Sequence, residues 1–269
     1  MNYETQRCRT ALSRSRLPDL VYSLNPYFGC EHGCIYCYSP SVFRQEAIAR
    51  NWGKFVKAKG NIAEVLVKEL GQLKKGTVGV STVTDPYQPA ESRFELTRKC
   101  LEILSKNQFP ISIQTKSNLV LRDIDVIQPT GFEVGVTITT LNNDVARKFE
   151  PNASSPDSRV QVIDEFHEKR VKTWIFLGPI IPKVNDSPEN IAGILEVAGR
   201  TKSRVLYDKL NPKNWVIERM MATLGLFDNA LTKTIHELVE ANSNWWKATS
   251  SSIMTLSMEK SVAAAPAFQ

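Results

Sequence analysis

Apolar and polar positions along this chain alternate between two rhythms, and the switch between them repeats. Short β-branched runs alternate with longer segments whose apolar residues recur every three or four positions. Residues 19–27, 77–83, 111–117, 132–141, 171–181 and 203–210 read as strands. Between them, residues 61–73 carry Ile62, Val65, Leu66, Leu70 and Leu73 at helical spacing, and residues 95–106 do likewise. Residues 121–128 predict a short helix that Pro129 ends. Helices over 155–170 and 187–200 each begin Ser-Pro, a capping hydroxyl followed by a residue suited to the first helical position. Two more helices are expected near 214–225 and 229–247, and the small-residue tail 261–269 is expected to fray.

Six strand–helix units in series predict an α/β fold with a parallel sheet and helices outside, arranged as an incomplete (β/α)6 barrel. No G-x-G-x-x-G follows any strand, which disfavours the open dinucleotide-binding sheet. The expected organisation is a basic N-terminal segment over 1–19, the partial barrel over 20–212, a helical extension over 213–260, and the tail.

Composition changes little in this picture. A chain of 269 residues with 42% apolar and 23% charged positions can bury a core and is not disordered. No apolar run reaches the length of a membrane span, so no membrane partner is expected. The basic, polar first residues lack the apolar core of a secretory signal, which predicts a cytoplasmic, reducing setting. Net charge is +6, spread along the chain, a mild pointer to an anionic partner such as nucleic acid or a nucleotide. Composition does not determine the oligomeric state.

In parallel α/β folds the working loops follow the C-terminal ends of the strands. Here four such loops are polar or proline-rich, and the first reads NPYFGCEHGCIYCYSP. Three of the five cysteines, Cys30, Cys34 and Cys37, lie within eight of its residues. Clustered thiols in a reducing setting point to metal rather than disulfides. Pro26, Gly29 and Gly33 argue against a helical core stripe. A structural zinc site wants four ligands, and only His32 inside the first spacer or the distant Cys8 offers a fourth. Three thiolates around a cubane, with one iron left open, suit the spacing better.

The pattern CxxxCxφC, with Tyr36 as the aromatic, resembles the signature of radical S-adenosylmethionine (SAM) enzymes. Over roughly residues 20–210 the chain is similar to the spore photoproduct lyase and DNA-repair-photolyase-like branch, through SLNPYFGCEHGCIYCY, STVTDPYQPAE, QTKSNLVLRDID, VTITTLN, EPNASSPDSRV and GPIIPKVND. The resemblance implies a radical SAM barrel holding a [4Fe–4S] cluster on Cys30, Cys34 and Cys37. It also implies SAM on the open iron, cleavage to a 5′-deoxyadenosyl radical, and a reductant such as ferredoxin or flavodoxin. Carried over, Tyr36 lies by the adenine, Asp85 meets the SAM amino group, and Lys116 or Arg159 meets its carboxylate. Thr137 or Thr139 meets the ribose. Tyr38 is the catalytic candidate.

One departure matters. The lyase branch places a hydrogen-donating cysteine three residues before the aspartate; this chain has Thr82, whose O–H bond is too strong for that role. Lyase activity itself is therefore not expected. A buried helix position is expected for Cys100, and Cys8 falls in a segment read as mobile. Lys54, Lys57 and Lys59 offer a phosphate groove, Trp245 and Trp246 a base-stacking anchor, and Asp208, Lys209 and Asn211 a substrate mouth. The reading from a different class is a non-catalytic nucleic-acid-binding module stabilised by an Fe–S or zinc centre.

Overall fold

A computed structural model describes residues 1–213, 215–224, 229–240 and 244–267. Its strands are β1 (Asn2–Gln6), β2 (Leu12–Arg14), β3 (Tyr22–Leu24), β4 (Tyr27–Phe28), β5 (Phe55–Lys59), β6 (Val78–Val80), β7 (Ile111–Thr115), β8 (Phe132–Thr137), β9 (Lys172–Ile180), β10 (Arg204–Lys209) and β11 (Ala264–Pro266). Strands β3, β6, β7, β8, β9 and β10 lie side by side in chain order, and every neighbouring pair is parallel. These are the six strands expected from the apolar runs. Their helices come between them in sequence, which gives the partial (β/α) barrel.

The Ser-Pro starts behave as expected. The Ser155 and Ser187 hydroxyls accept hydrogen bonds from the N–H groups of Ser158 and Asn190, each at 3.2 Å, at the heads of helices Pro156–Glu168 and Pro188–Thr201. The main apolar core fills the space between sheet and helices. Ile113, Val134, Val136, Ile175 and Val205 come from the strands, and Leu66, Leu101, Val162 and Ile194 from the helices.

Both chain ends depart from the expectation. The first residues are not a separate segment: β2 pairs antiparallel with β3 at one edge of the sheet, and β1 joins β5 and β4 in a small three-stranded sheet. Cys8 is pinned there, its N–H and C=O both bonded to the Asn61 amide at 2.7 and 2.9 Å. The tail does not fray through residue 266. It supplies β11, which adds parallel to β10, so the barrel ends on a paired strand.

Boundaries shifted where side chains took over from the ladder. The strand expected over 132–141 stops at Thr137, because the amides of Asn185 and Asn190 claim the Thr139 carbonyl. The helix expected over 121–128 is a 3-10 segment, Asn118–Asp123, started earlier by the Ser117 hydroxyl, which caps Leu119 N–H. The C-terminal helices run Val216–Leu224, Asn229–Glu240 and Asn244–Glu259; positions 214, 225 and 241–243 of the expected helices lie outside the described residues.

Candidate functional site

The cysteine loop leaves β4 through Gly29, whose φ of +85° is the left-handed region that favours glycine. A Cβ there would also sit 2.5 Å from the Phe55 carbonyl. Gly33, at φ +60°, makes the second reversal. Two single turns follow: Gly33 N–H donates to Cys30 O at 3.3 Å, and Cys37 N–H to Cys34 O at 3.1 Å. Neighbouring segments hold the loop from several sides. Thr84 Oγ1 donates to Gly29 O at 2.6 Å, Gln88 Oε1 accepts from Glu31 N–H at 2.8 Å, and Asn152 Nδ2 donates to Glu31 O at 2.9 Å. Ile35 N–H donates to Phe149 O at 3.0 Å. The loop is thus rigid without a ladder of its own.

Beside it opens a cavity of about 510 Å³. Cys30, Cys34 and Cys37 line it together with Tyr36, Tyr38, Asp85, Lys116 and Thr137. The strand ends converge there: Ser81, Thr82, Thr84 and Asp85 after β6, Gln114–Lys116 at β7, Thr137 at β8, Phe176 and Pro179 at β9, Asp208 and Lys209 at the end of β10, and Leu210, Asn211 and Lys213 after it. Eight of the ten expected site residues therefore share one space. Asp208, Lys209 and Asn211 stand at its wall, as their position after the last strand suggested.

Arg159 and Thr139 do not face it. The Arg159 side chain is 1% exposed and paired with the Glu150 carboxylate; its Nε and Nη1 donate to the carbonyls of Ser154 and Thr137. Thr139 lies past the strand end, where its hydroxyl bonds Glu150 at 3.2 Å. Thr137 keeps its place on the wall, accepting from Gln114 Nε2 at 3.3 Å. A strand that ends before Thr139 explains why one threonine faces the cavity and the other does not.

Asp85 is more heavily engaged than a turn-starting residue would be. Oδ1 accepts from Thr115 Oγ1 at 2.7 Å and Tyr87 N–H at 2.9 Å; Oδ2 accepts from Lys116 N–H at 2.8 Å and lies 3.4 Å from His32 Nδ1. A carboxylate offers about four acceptor positions, so the protein uses three and leaves the one facing His32. Burial alone would raise this carboxyl, but His32 and these donors outweigh it and draw it down to about 2. Lys116 behaves in the opposite way. Its Nζ has no hydrogen-bonding partner among the described residues and rides over the Tyr36 ring, 5.7 Å from the centroid. Burial would lower its pKa, yet Cys34 and Glu150 raise it, so the ammonium form holds.

The bare thiols of Cys30 and Cys34 are hard to ionise. Burial pushes Cys34 up to about 12, with Lys116 opposing, and burial also pushes Cys30 well up, with Asp85 adding repulsion. Tyr38 is 44% exposed. Its hydroxyl donates to the Thr82 carbonyl at 2.9 Å, which puts the catalytic candidate against the residue that replaces the expected cysteine.

Two residues that sequence reasoning missed complete the site. Glu150 is buried and receives the Tyr36 hydroxyl, Thr139 and Arg159. Arg219, on helix Val216–Leu224, donates to the carbonyls of Cys34 and Cys37. Spacing singles out neither. Glu150 does open the stretch EPNASSPDSRV, the one signal that could have found it; Arg219 has none. Other candidates moved away. Trp245 bonds Asp186 at 2.8 Å and Trp246 packs on Tyr207, so the pair anchors a helix rather than a base. Lys57 pairs with Glu4 at 3.0 Å on the small sheet, and Cys100 is fully buried as expected.

The model of the radical SAM superfamily matches residues 24–195 of the chain. An uncharacterised protein of Methanocaldococcus jannaschii is 32% identical over 181 residues, which cover 67% of this chain and 68% of that protein. An uncharacterised protein of Mycobacterium tuberculosis is 30% identical over 211 residues, covering 72% of this chain but only 61% of its own length. Among solved structures, spore photoproduct lyase complexed with dinucleoside spore photoproduct superposes with a TM-score of 0.70 at 14% identity, covering 99% of this chain and 82% of that one. At that identity the likeness is one of fold. Among the described residues, no helix is long and apolar enough to cross a membrane.

Proposed function

The chain belongs to the radical SAM superfamily, and from that premise we propose an enzyme that holds a [4Fe–4S] cluster on Cys30, Cys34 and Cys37 and binds SAM across the strand ends. The observation that carries the reading is the shared cavity. It brings three thiols together with the ends of β6 to β10 and with an ammonium, Lys116, that has no hydrogen-bonding partner among the described residues. The donor set fits a cluster better than one ion. Among the described residues, no three His, Cys, Asp or Glu side chains are gathered to hold a single metal, whereas a cubane spreads its thiolates over separate irons. When bound and reduced by a donor such as ferredoxin or flavodoxin, the cluster would supply the electron that splits the S–C5′ bond of SAM.

The chain's own residues would orient and shield that ligand. Lys116 is placed to pair a carboxylate. Asp85 would offer its carboxylate to the amino group, and its bonds to Thr115, Tyr87 and Lys116 lock its direction. Thr137 offers a hydroxyl to the ribose, and the Tyr36 ring a flat apolar face for the adenine, held still by Glu150. Arg159 acts at a distance: it neutralises Glu150, so Tyr36 keeps its place. Tyr38 lines the same cavity, with its hydroxyl on the Thr82 carbonyl, and is the proposed catalytic residue.

For the substrate class we propose a nucleotide or nucleic acid. Lys209 and Lys213 flank one side of the cavity and exposed Tyr38 and Val42 another, which suits a phosphate joined to a flat base. Thr82 keeps photoproduct cleavage itself out of the proposal. The test is anaerobic reconstitution with iron and sulfide, then SAM and a strong reductant. Formation of 5′-deoxyadenosine is expected, and its loss with Cys34→Ala. A fully loaded protein that leaves SAM intact, or zinc in protein purified without air, overturns the reading.

A further inference from the structure

The C-terminal helices follow the last barrel strand but one, yet they reach back to the cysteine loop. Val216 and Met220 on helix Val216–Leu224 belong to the same apolar cluster as Cys34, Ile35 and Tyr36. Between them in sequence stands Arg219. Its Nη1 donates to the Cys37 carbonyl at 3.2 Å, and its Nη2 donates to the Cys34 carbonyl.

Those two carbonyls close one turn, since Cys37 N–H also donates to Cys34 O. The other backbone fastenings of the loop act on Gly29, Glu31, His32 and Ile35, and inside the turn Glu150 holds the Tyr36 side chain rather than its backbone. Among the described residues, no other side chain bonds the carbonyls of Cys34 and Cys37. A planar, permanently charged fork suits this geometry, because it reaches both oxygens from one rigid group and a charged donor strengthens each bond.

We propose that Arg219 is a positioning residue for the cysteine site, and that helix Val216–Leu224 completes that site by clamping the Cys34–Cys37 turn. The proposal rests on the reading of Cys34 and Cys37 as cluster ligands. It makes the helical extension part of the cofactor site rather than an appendage to the barrel.

The test uses the full-length, metal-free protein and needs no turnover. Iodoacetamide labelling, followed by peptide mass mapping, gives the rate at each cysteine. Losing two charge-assisted bonds opens the turn more often, so R219M is expected to label Cys34 and Cys37 about tenfold faster. Cys100, buried under a barrel helix, is expected to keep its rate, and R219K to recover part of the protection. Unchanged rates at Cys34 and Cys37, equal acceleration at Cys100, or a lysine variant no better than methionine overturns the clamp. Iron uptake by the unmodified protein is measured in parallel. Failure there removes the cluster reading, while the labelling rates still judge Arg219.

Discussion

Among the described residues there are two apolar cores, and they are built differently. The barrel core is made of regular strands and helices, with its backbone polar groups paired in ladders and turns. The second core is small. It joins Cys34, Ile35 and Tyr36 to Phe149, Ile181, Leu210 and the C-terminal helices, and most of its members come from loops and helix faces. The first would fold with any hydrophobic set of the right size and period. The second depends on individual hydrogen bonds, because its loop has no ladder. Its polar seam is the Glu150–Arg159 pair, which ties Tyr36 to the barrel helix Pro156–Glu168. Stability lives mostly in the first core, and the geometry of the cysteine loop in the second.

That division can be attacked at its seam. Arg159→Met leaves Glu150 charged and buried, and removing one partner of such a pair costs about 3–5 kcal/mol. Urea denaturation should show this as a large fall in the midpoint. A loss near zero would mean that Lys116, which also draws Glu150 down after Arg159, suffices alone. Next in size is Leu101→Ala in the barrel core, where the fully buried side chain predicts a loss of about 2–5 kcal/mol in global stability. Labelling at Cys34 should rise only as far as global unfolding allows.

Met220→Ala removes a similar volume from the second core. If the two cores are separate, its cost in the urea transition stays below that of Leu101→Ala, at about 2 kcal/mol or less, while Cys34 labelling rises more. Equal losses in both measurements would show one cooperative unit and dissolve the distinction.

The same division explains what could be read from the sequence. The six parallel strands and the Ser-Pro helix starts were legible because period and capping are local properties, and the barrel core follows from them. The three cysteines, Tyr36, Asp85, Lys116 and Thr137 were legible because strand ends converge in this architecture. Arg159 and Thr139 were not, since their fate was decided by Glu150, which belongs to no spacing pattern. Arg219 was hidden for a further reason. It lies 182 residues from Cys37 in a helix whose sequence shows only an amphipathic face, and nothing local says that this face meets a loop. The N-terminal segment misled because its strands are short and polar, and their partners lie far along the chain.

Asp85 gives the smallest and most specific test, because its carboxyl lines the cavity and a few named donors hold its charge. Its carboxyl is held at about 2 in the folded chain, against 3.8 for the free group. A depressed carboxyl contributes stability that is present above the unfolded value and lost as pH falls through the folded one. The window is therefore acid, between about pH 4 and pH 2, and the contribution at neutral pH is about 2 kcal/mol. Asp125 is also held near 2, by Arg98, but its side chain is 61% exposed and solvent screens most of that gain. Denaturation curves taken across the window should therefore be steeper in pH for the unmodified protein than for Asp85→Asn. Equal slopes would show that the carboxyl is not held down by Thr115, Lys116 and His32.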